Sequence, residues 1–252
     1  MAAVLTPSIL DAHVHLPAYP DPRDVVARAR ERGIKLLSVT VSPDEAALNL
    51  QLRDDNPSTV KCFVGVHPSE ALLGGSRLAE LEPFWEKADG IGEIGLDPKY
   101  SEVSGESAQM ELFKAQIGAA ERLGIPVEVH SRGAEETCLD VLEGYSLPAV
   151  LMHWFEGERL IGRVFSHPHY YVSFGPALLY SKKLLRTASG CPQERVLVES
   201  DGPVGYRPLG GADGPGLIPS VAFKLSEMWG MSFQDTLAQL SVNATGYIVQ
   251  KG

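Results

Sequence analysis

Short, continuous apolar runs alternate along this chain with segments whose apolar residues return every three or four positions. The runs "SILDAHVHL", "IKLLSVTVS", "VKCFVGVHPS", "GIGEIGLD", "IPVEVHSR", "LPAVLMHWFE", "YYVSFGP" and "RVLVESDGP" read as buried strands. Between them, "DPRDVVARARERG", "SRLAELEPFWEKAD", "SAQMELFKAQIGAAERLG", "GAEETCLDVLEGY", "GERLIGRVF" and "KKLLRTASG" read as helices. In the first helix Val25, Val26 and Ala29 share one face, and Gly33 supplies a C-terminal stop. Ser42, Pro43, Asp44 and Glu45 have the order of an N-cap, an N1 proline and a capping-box glutamate.

Strands this apolar, each followed by a helix, predict a parallel sheet covered by helices, and eight of them predict a closed (β/α)8 TIM barrel of the α/β class. A doubly wound open sheet is the alternative. No G-x-G-x-x-G follows the first strand, and polar residues gather at the C-terminal strand ends, where a barrel builds its active site. The expected organisation is a single domain over residues 1–252. The stretch "GPVGYRPLGGADGPGLIPS" reads as a loop at the barrel mouth. After it, "SFQDTLAQLS" starts a capped helix at Ser232, and "NATGYIV" is expected to pack against the outside of the barrel.

At 252 residues and 44% hydrophobic content the chain can bury one large core. No run approaches the roughly 18 apolar residues that span a bilayer, and the first residues lack a basic n-region, so a cytoplasmic protein without membrane association is expected. Cys62, Cys138 and Cys191 are odd in number and widely spaced, which disfavours a disulfide framework or a cysteine zinc site. A net charge of −10 without a lysine or arginine cluster weighs against tight binding of long duplex nucleic acid.

The chemistry lies in the polar residues on the strand ladder. In "DAHVH", Asp11, His13 and His15 are two apart, so an extended chain points all three to one side. Two imidazoles at that spacing can share a metal ion, and a nearby carboxylate can orient a ligand ring. His67 follows strand 3, Glu93 lies in strand 4, His130 follows strand 5, His153 lies in strand 6 and Asp201 in strand 8. Each alone has an ordinary explanation, a turn cap or a carbonyl partner. Together they place nitrogen and oxygen ligands on one rim. That set suits Zn²⁺, Mn²⁺, Mg²⁺ or Fe²⁺, and the histidines tilt it towards transition metals. It is too large for one tetrahedral ion. If Glu93 bridges, two divalent ions are expected, one with His13, His15 and Asp201 and the other with His130 and His153.

The strings "DAHVHL", "GVHP", "GEIGLD", "PVEVHSR", "HWFEG", "VSFG" and "ESDGP", in this order, resemble the TatD family of metal-dependent hydrolases within the amidohydrolase-like TIM barrels. The likeness runs from Asp11 to about Asn243. It implies that Glu93 is the bridging carboxylate, that Asp201 binds metal and handles the nucleophilic water, and that His67 lies near a substrate phosphate. Arg132 matches an arginine common after the strand-5 histidine. Many members carry Arg-Gly-Lys after the strand-8 aspartate; here "VGYRPLGGADGPGLIPS" keeps Arg207 and Pro219 without it. "HWFEG" also replaces the commoner "HCFSG", which makes Trp154 a candidate lid or stacking residue, or a core aromatic.

The expected activity is therefore that of a TatD-like deoxyribonuclease, with Glu93 and Asp201 catalytic and His67, Arg132 and Arg207 binding substrate. Its substrates would be nucleic-acid ends or a small phosphodiester. The alternative is hydrolysis of an amide, ester or aminoacyl bond at the same centre, since an activated water attacks carbonyls as well as phosphorus. A binding or scaffold protein is a third class, disfavoured by the complete ligand set.

Overall fold

The structure, a computed structural model, describes residues 8–204 and 214–248. Eight parallel strands form one sheet: β1 (Ile9–Val14), β2 (Ile34–Ser38), β3 (Val60–Cys62), β4 (Ile91–Gly95), β5 (Val127–His130), β6 (Val150–Met152), β7 (Tyr170–Phe174) and β8 (Val196–Val198). β1 pairs with both β2 and β8, and the sheet runs from β3 through β1 and β8 round to β4. The seam between β3 and β4 is closed by a parallel bridge from Phe63 to Gly90. Val64 N–H donates to Gly90 O at 3.2 Å and Gly92 N–H to Val64 O at 3.4 Å. The result is the TIM barrel expected from the strand pattern.

Strand alternation divides the apolar residues into two populations. Leu10, Ala12, Leu37, Val39, Phe63, Leu151 and Leu197 form a compact inner set, while their neighbours Ile9, Leu36, Val150, Met152, Val196 and Val198 join the larger core shared with the helices. Gln116, fully buried on the helix Glu106–Leu123, accepts from Val66 N–H at 2.7 Å and donates to Val66 O at 3.0 Å. This amide satisfies the irregular end of the third β-segment, where the ladder stops and His67 must be presented.

Several local expectations are corrected. Glu45 accepts from Val41 N–H at 2.7 Å rather than from the Ser42 amide, and Ser42 makes no side-chain cap; residues 43–45 form a 3-10 turn before the helix Ala46–Asp55. The helix expected in "SRLAELEPFWEKAD" is broken into a 3-10 turn, Leu78–Leu81, and one α-turn, Glu82–Trp85. Trp85 explains the stop, because its indole N–H reaches the carbonyl of Val64 at 3.0 Å and fixes the segment against the barrel. The tail does not pack on the outside. The last helix runs through Phe233–Tyr247, and fully buried Tyr247 plugs the N-terminal end of the barrel. Its hydroxyl donates to Val127 O at 3.0 Å, and its ring lies against Phe63 and Tyr171.

Gly95 marks where the barrel wall is tightest. Its φ is +146°, a conformation that excludes side chains, and a Cβ there would overlap the His130 carbonyl, which accepts from Leu96 N–H. We expect Gly95→Ala to destabilise the fold by about 3 kcal/mol or more. A urea unfolding midpoint equal to the wild-type value would contradict this.

Candidate metal centre

Every strand that carries a predicted ligand delivers it to the C-terminal mouth. His13 lies in β1 and His15 just beyond it; Glu93 lies in β4, His130 ends β5, His153 follows β6, and Asp201 comes three residues after β8. The pairing of β1 with β2 is irregular between Asp11 and Val14, and this breaks the period of two. Asp11 is thereby separated from the histidines, contrary to the expectation from spacing. Its carboxylate accepts from Ser200 N–H at 2.8 Å and from Ser200 Oγ at 2.6 Å, tying β1 to the segment after β8.

The remaining ligand atoms fall into two groups around Glu93. In the first, His13 Nε2 and His15 Nε2 are 3.0 Å apart, lie 3.4 and 3.3 Å from Asp201 Oδ1, and lie 3.7 and 3.6 Å from Glu93 Oε2. Four donors about 2.1 Å from a tetrahedral ion would be about 3.4 Å apart, and these five separations, 3.0–3.7 Å, are of that order; His13, His15 and Glu93 form a group that could hold an ion, with Asp201 beside the two imidazoles. In the second, Glu93 Oε1 lies 2.7 Å from His130 Nδ1 and 2.8 Å from His153 Nε2, with 3.3 Å between the two nitrogens. The two oxygens of one carboxylate thus face different groups. Asp201 adopts φ 50°, which turns its carboxylate back towards β1, and its N–H donates to His13 O at 2.9 Å.

His67 stands beside the second group, its Nε2 3.8 Å from Glu93 Oε1. Its Nδ1 accepts from the Ser69 N–H at 3.1 Å, so the neutral ring carries its proton on Nε2 and presents a donor to the site. Burial pushes His67 down to about 3 against the pull of Glu93, which keeps it neutral. A ring in this tautomer suits an anionic oxygen.

Three buried carboxylates back the histidines, and none was given a role from the sequence. Glu128 Oε1 meets His13 Nδ1 at 2.5 Å, Asp97 Oδ2 meets His130 Nε2 at 2.8 Å, and Glu199 Oε1 lies 3.7 Å from His153 Nδ1. Glu199 also accepts from Ser173 Oγ. A Cβ on Gly92 would sit 2.8 Å from Glu128 Cβ, so the glycine makes room for this carboxylate. The available signal was a lone acid flanked by apolar strand residues, as in "VEVH" and "LVES".

The electrostatics are those of a cation site. Burial raises the Glu93 carboxyl, but the charges of His153 and His13 and the hydrogen bond with His130 outweigh it and hold it well below the usual range. Asp201 is likewise raised by burial and brought far down by hydrogen bonds with His13 and His15. Burial opposes charge on His13, yet Glu128 and Glu93 bring it well above the usual imidazole range; burial and His13 oppose charge on His153, which Glu93 and Glu199 still raise to about 10. The cluster is rich enough in buried carboxylate to draw compensating positive charge. Nitrogen and carboxylate oxygen donors without sulfur fit divalent ions such as Zn²⁺, Mn²⁺ or Mg²⁺.

Arg132 is half exposed. Its NH2 pairs with Asp97 Oδ2, and its guanidinium lies over the Tyr100 ring at 5.5 Å. Trp154, at φ 45°, packs its ring on Gly175 at the end of β7, consistent with a wall residue. Arg207 lies outside the described residues. Pro219 is the second residue of the helix Ile218–Trp229. All three cysteines are free and buried.

A parallel barrel whose mouth gathers histidines and carboxylates around one shared glutamate defines the TIM-barrel class of metal-dependent hydrolases. Residues 10–248 match the TatD related DNase family, and the chain belongs to that family. It is 30% identical over 211 residues to the putative deoxyribonuclease tatdn3 of Danio rerio, covering 77% of this chain and 79% of the relative. It is 27% identical over 239 residues to the 3'-5' ssDNA/RNA exonuclease TatD of Edwardsiella piscicida, covering 88% and 91%. The crystal structure of the TatD homologue YJJV from Escherichia coli superimposes with a TM-score of 0.82 at 23% identity, over 96% of this chain and 98% of that one.

Proposed function

We propose that this chain is a divalent-metal-dependent deoxyribonuclease that hydrolyses phosphodiester bonds at nucleic-acid ends. The observation that carries the reading is the division of Glu93: Oε2 faces His13, His15 and Asp201, while Oε1 faces His130 and His153. These residues would hold two ions. When bound, such ions lower the pKa of a water and take up negative charge from a phosphate oxygen.

The chain's own groups supply the rest. Asp201, ionised and held by His13 and His15, is placed to align a water and accept its proton. The His67 Nε2–H donates to the oxygen on which charge develops, from a rigid, buried ring. Arg132 offers the donors not used by Asp97 to a phosphate at the mouth. Arg207 is retained as a candidate contact for a neighbouring phosphate. Among the described residues no helix is long and apolar enough to cross a membrane.

The direct test is elemental analysis of protein purified without chelator, followed by assay on single-stranded DNA, duplex DNA, RNA and carbonyl esters. We expect more than one divalent ion per chain and hydrolysis of nucleic-acid ends, lost on chelation and restored by metal. Ester or amide hydrolysis without phosphodiesterase activity would replace this reading with a carbonyl hydrolase.

Charge predicts how substrate is held. Each phosphate neutralised by a basic residue adds about 0.9 to the slope of log affinity against log salt on duplex DNA. With a net charge of −10, Arg132 against the candidate centre, and Lys183 and Arg186 in the neighbouring groove paired with Glu156 and Glu158, we expect a slope magnitude of about 2 or less and a preference for short single-stranded ends over duplex interiors. A steep slope with tight duplex binding, measured on metal-loaded Asp201→Asn protein, would contradict it.

A further inference from the structure

Asp97 sits between the metal centre and the mouth. It lies just past β4, is fully buried, and its backbone is clamped from the helix Glu106–Leu123: Asp97 N–H donates to Gln109 Oε1 at 2.9 Å, and Gln109 Nε2 donates to Asp97 O at 3.0 Å. Its Oδ1 accepts from Lys99 N–H at 2.9 Å. That leaves Oδ2, which receives both His130 Nε2 at 2.8 Å and the Arg132 guanidinium. One carboxylate oxygen, on a backbone held from two sides, therefore meets a ring of the second ligand group and the cation at the mouth.

Resting on the metal-centre reading above, we infer that Asp97 is a positioning residue that serves both jobs at once: it holds His130 as an Nδ1 ligand for the second ion, and it holds Arg132 where a substrate phosphate arrives. The two nitrogens of the ring face different carboxylates, Nδ1 towards Glu93 and Nε2 towards Asp97. With Nε2–H donated to Asp97, the lone pair of His130 stays on Nδ1, 2.7 Å from Glu93 Oε1 and 3.3 Å from His153 Nε2. On the other side, the guanidinium rests on Tyr100, whose ring also meets His67 edge-on with centroids 5.7 Å apart. The arginine and the His67 donor are thus arranged by one connected cluster, and Asp97 is its only carboxylate among the described residues with contact to both Arg132 and a ring of the ligand set.

Asp97→Asn separates this role from simple loop capping. An asparagine has one side-chain acceptor; if it serves Lys99 N–H, its amide NH₂ faces two other donors, His130 Nε2–H and Arg132. Zinc titration of chelator-stripped protein by calorimetry should show the second-group affinity lowered about 10–100-fold with the first unchanged. The same variant should raise KM for a single-stranded oligonucleotide. Arg132→Met should raise KM while leaving both zinc affinities at wild-type values. Wild-type zinc affinities in Asp97→Asn would overturn the inference and leave Asp97 a loop cap. Should that variant not fold, nitrogen NMR of zinc-loaded wild-type protein decides: His130 coordinated through Nδ1 with its proton on Nε2 supports the inference, and coordination through Nε2 overturns it. Failure of wild-type protein to take up zinc or any other divalent ion would sink the metal-centre reading itself, and this inference with it.

Discussion

Glu93→Gln is expected to leave the barrel folded and to drop bound metal below one ion per chain. Glutamine matches the shape of glutamate but keeps one acceptor, and its NH₂ would point a donor at one of the two imidazole groups that the carboxylate now faces, His13 and His15 through Oε2 or His130 and His153 through Oε1. The loss of charge compounds this, since Glu93 is the buried carboxylate whose two oxygens face the nitrogens of both groups. A single histidine-to-alanine change removes one donor from one group and leaves the other intact, so each such variant should keep more metal than Glu93→Gln. Turnover should fall by at least about 10²-fold, the scale of losing one preorganised electrostatic element, and more if both ions leave. Elemental analysis beside circular dichroism checks it; wild-type metal content in a folded Glu93→Gln protein would rule out a shared ligand.

For Asp201→Asn the expected result is different: a folded protein that retains the ion held by His130 and His153 and loses about 10²–10⁴-fold in turnover, the range for removal of a general base. The backbone tolerates the change because asparagine is among the few residues that adopt positive φ readily, and Asp201 sits at 50° with its N–H committed to His13 O. The carboxylate function is what goes. Asn keeps an oxygen that can face His13 and His15, but it cannot accept a proton from water. Single-turnover kinetics on a metal-loaded sample would test this, and a wild-type rate would remove Asp201 from the chemistry.

The candidate site was legible in the sequence to the extent that its ligands are local to strand ends. His13, His15, Glu93, His130, His153 and Asp201 stand in or just after apolar runs, and a barrel brings all such positions to one mouth. Their backing partners were not legible. Glu128 meets His13 across 115 residues, and nothing within either strand indicates that β5 will place a carboxylate under β1. Asp97 and Arg132 are 35 positions apart and meet because β4 and β5 are paired neighbours. Asp11 was misplaced for the opposite reason: the spacing of two was visible, and the irregularity that breaks it depends on how β1 pairs with β2.

By itself, then, the sequence determined the succession of strands and helices, the parallel barrel, and the kinds of donor carried to its mouth, because apolar periodicity and ligand chemistry are properties of neighbouring residues. Only the tertiary structure decided which oxygen of Glu93 faces which imidazoles, which carboxylate each nitrogen of His130 meets, that the His67 Nδ1 is taken by a backbone N–H, that Tyr247 closes the barrel floor, and that Asp97 joins the centre to Arg132. These follow from strand register and barrel closure, which are set by hydrogen bonds and packing between segments far apart in the chain. A shift of one residue in any strand would preserve every motif and dissolve the site.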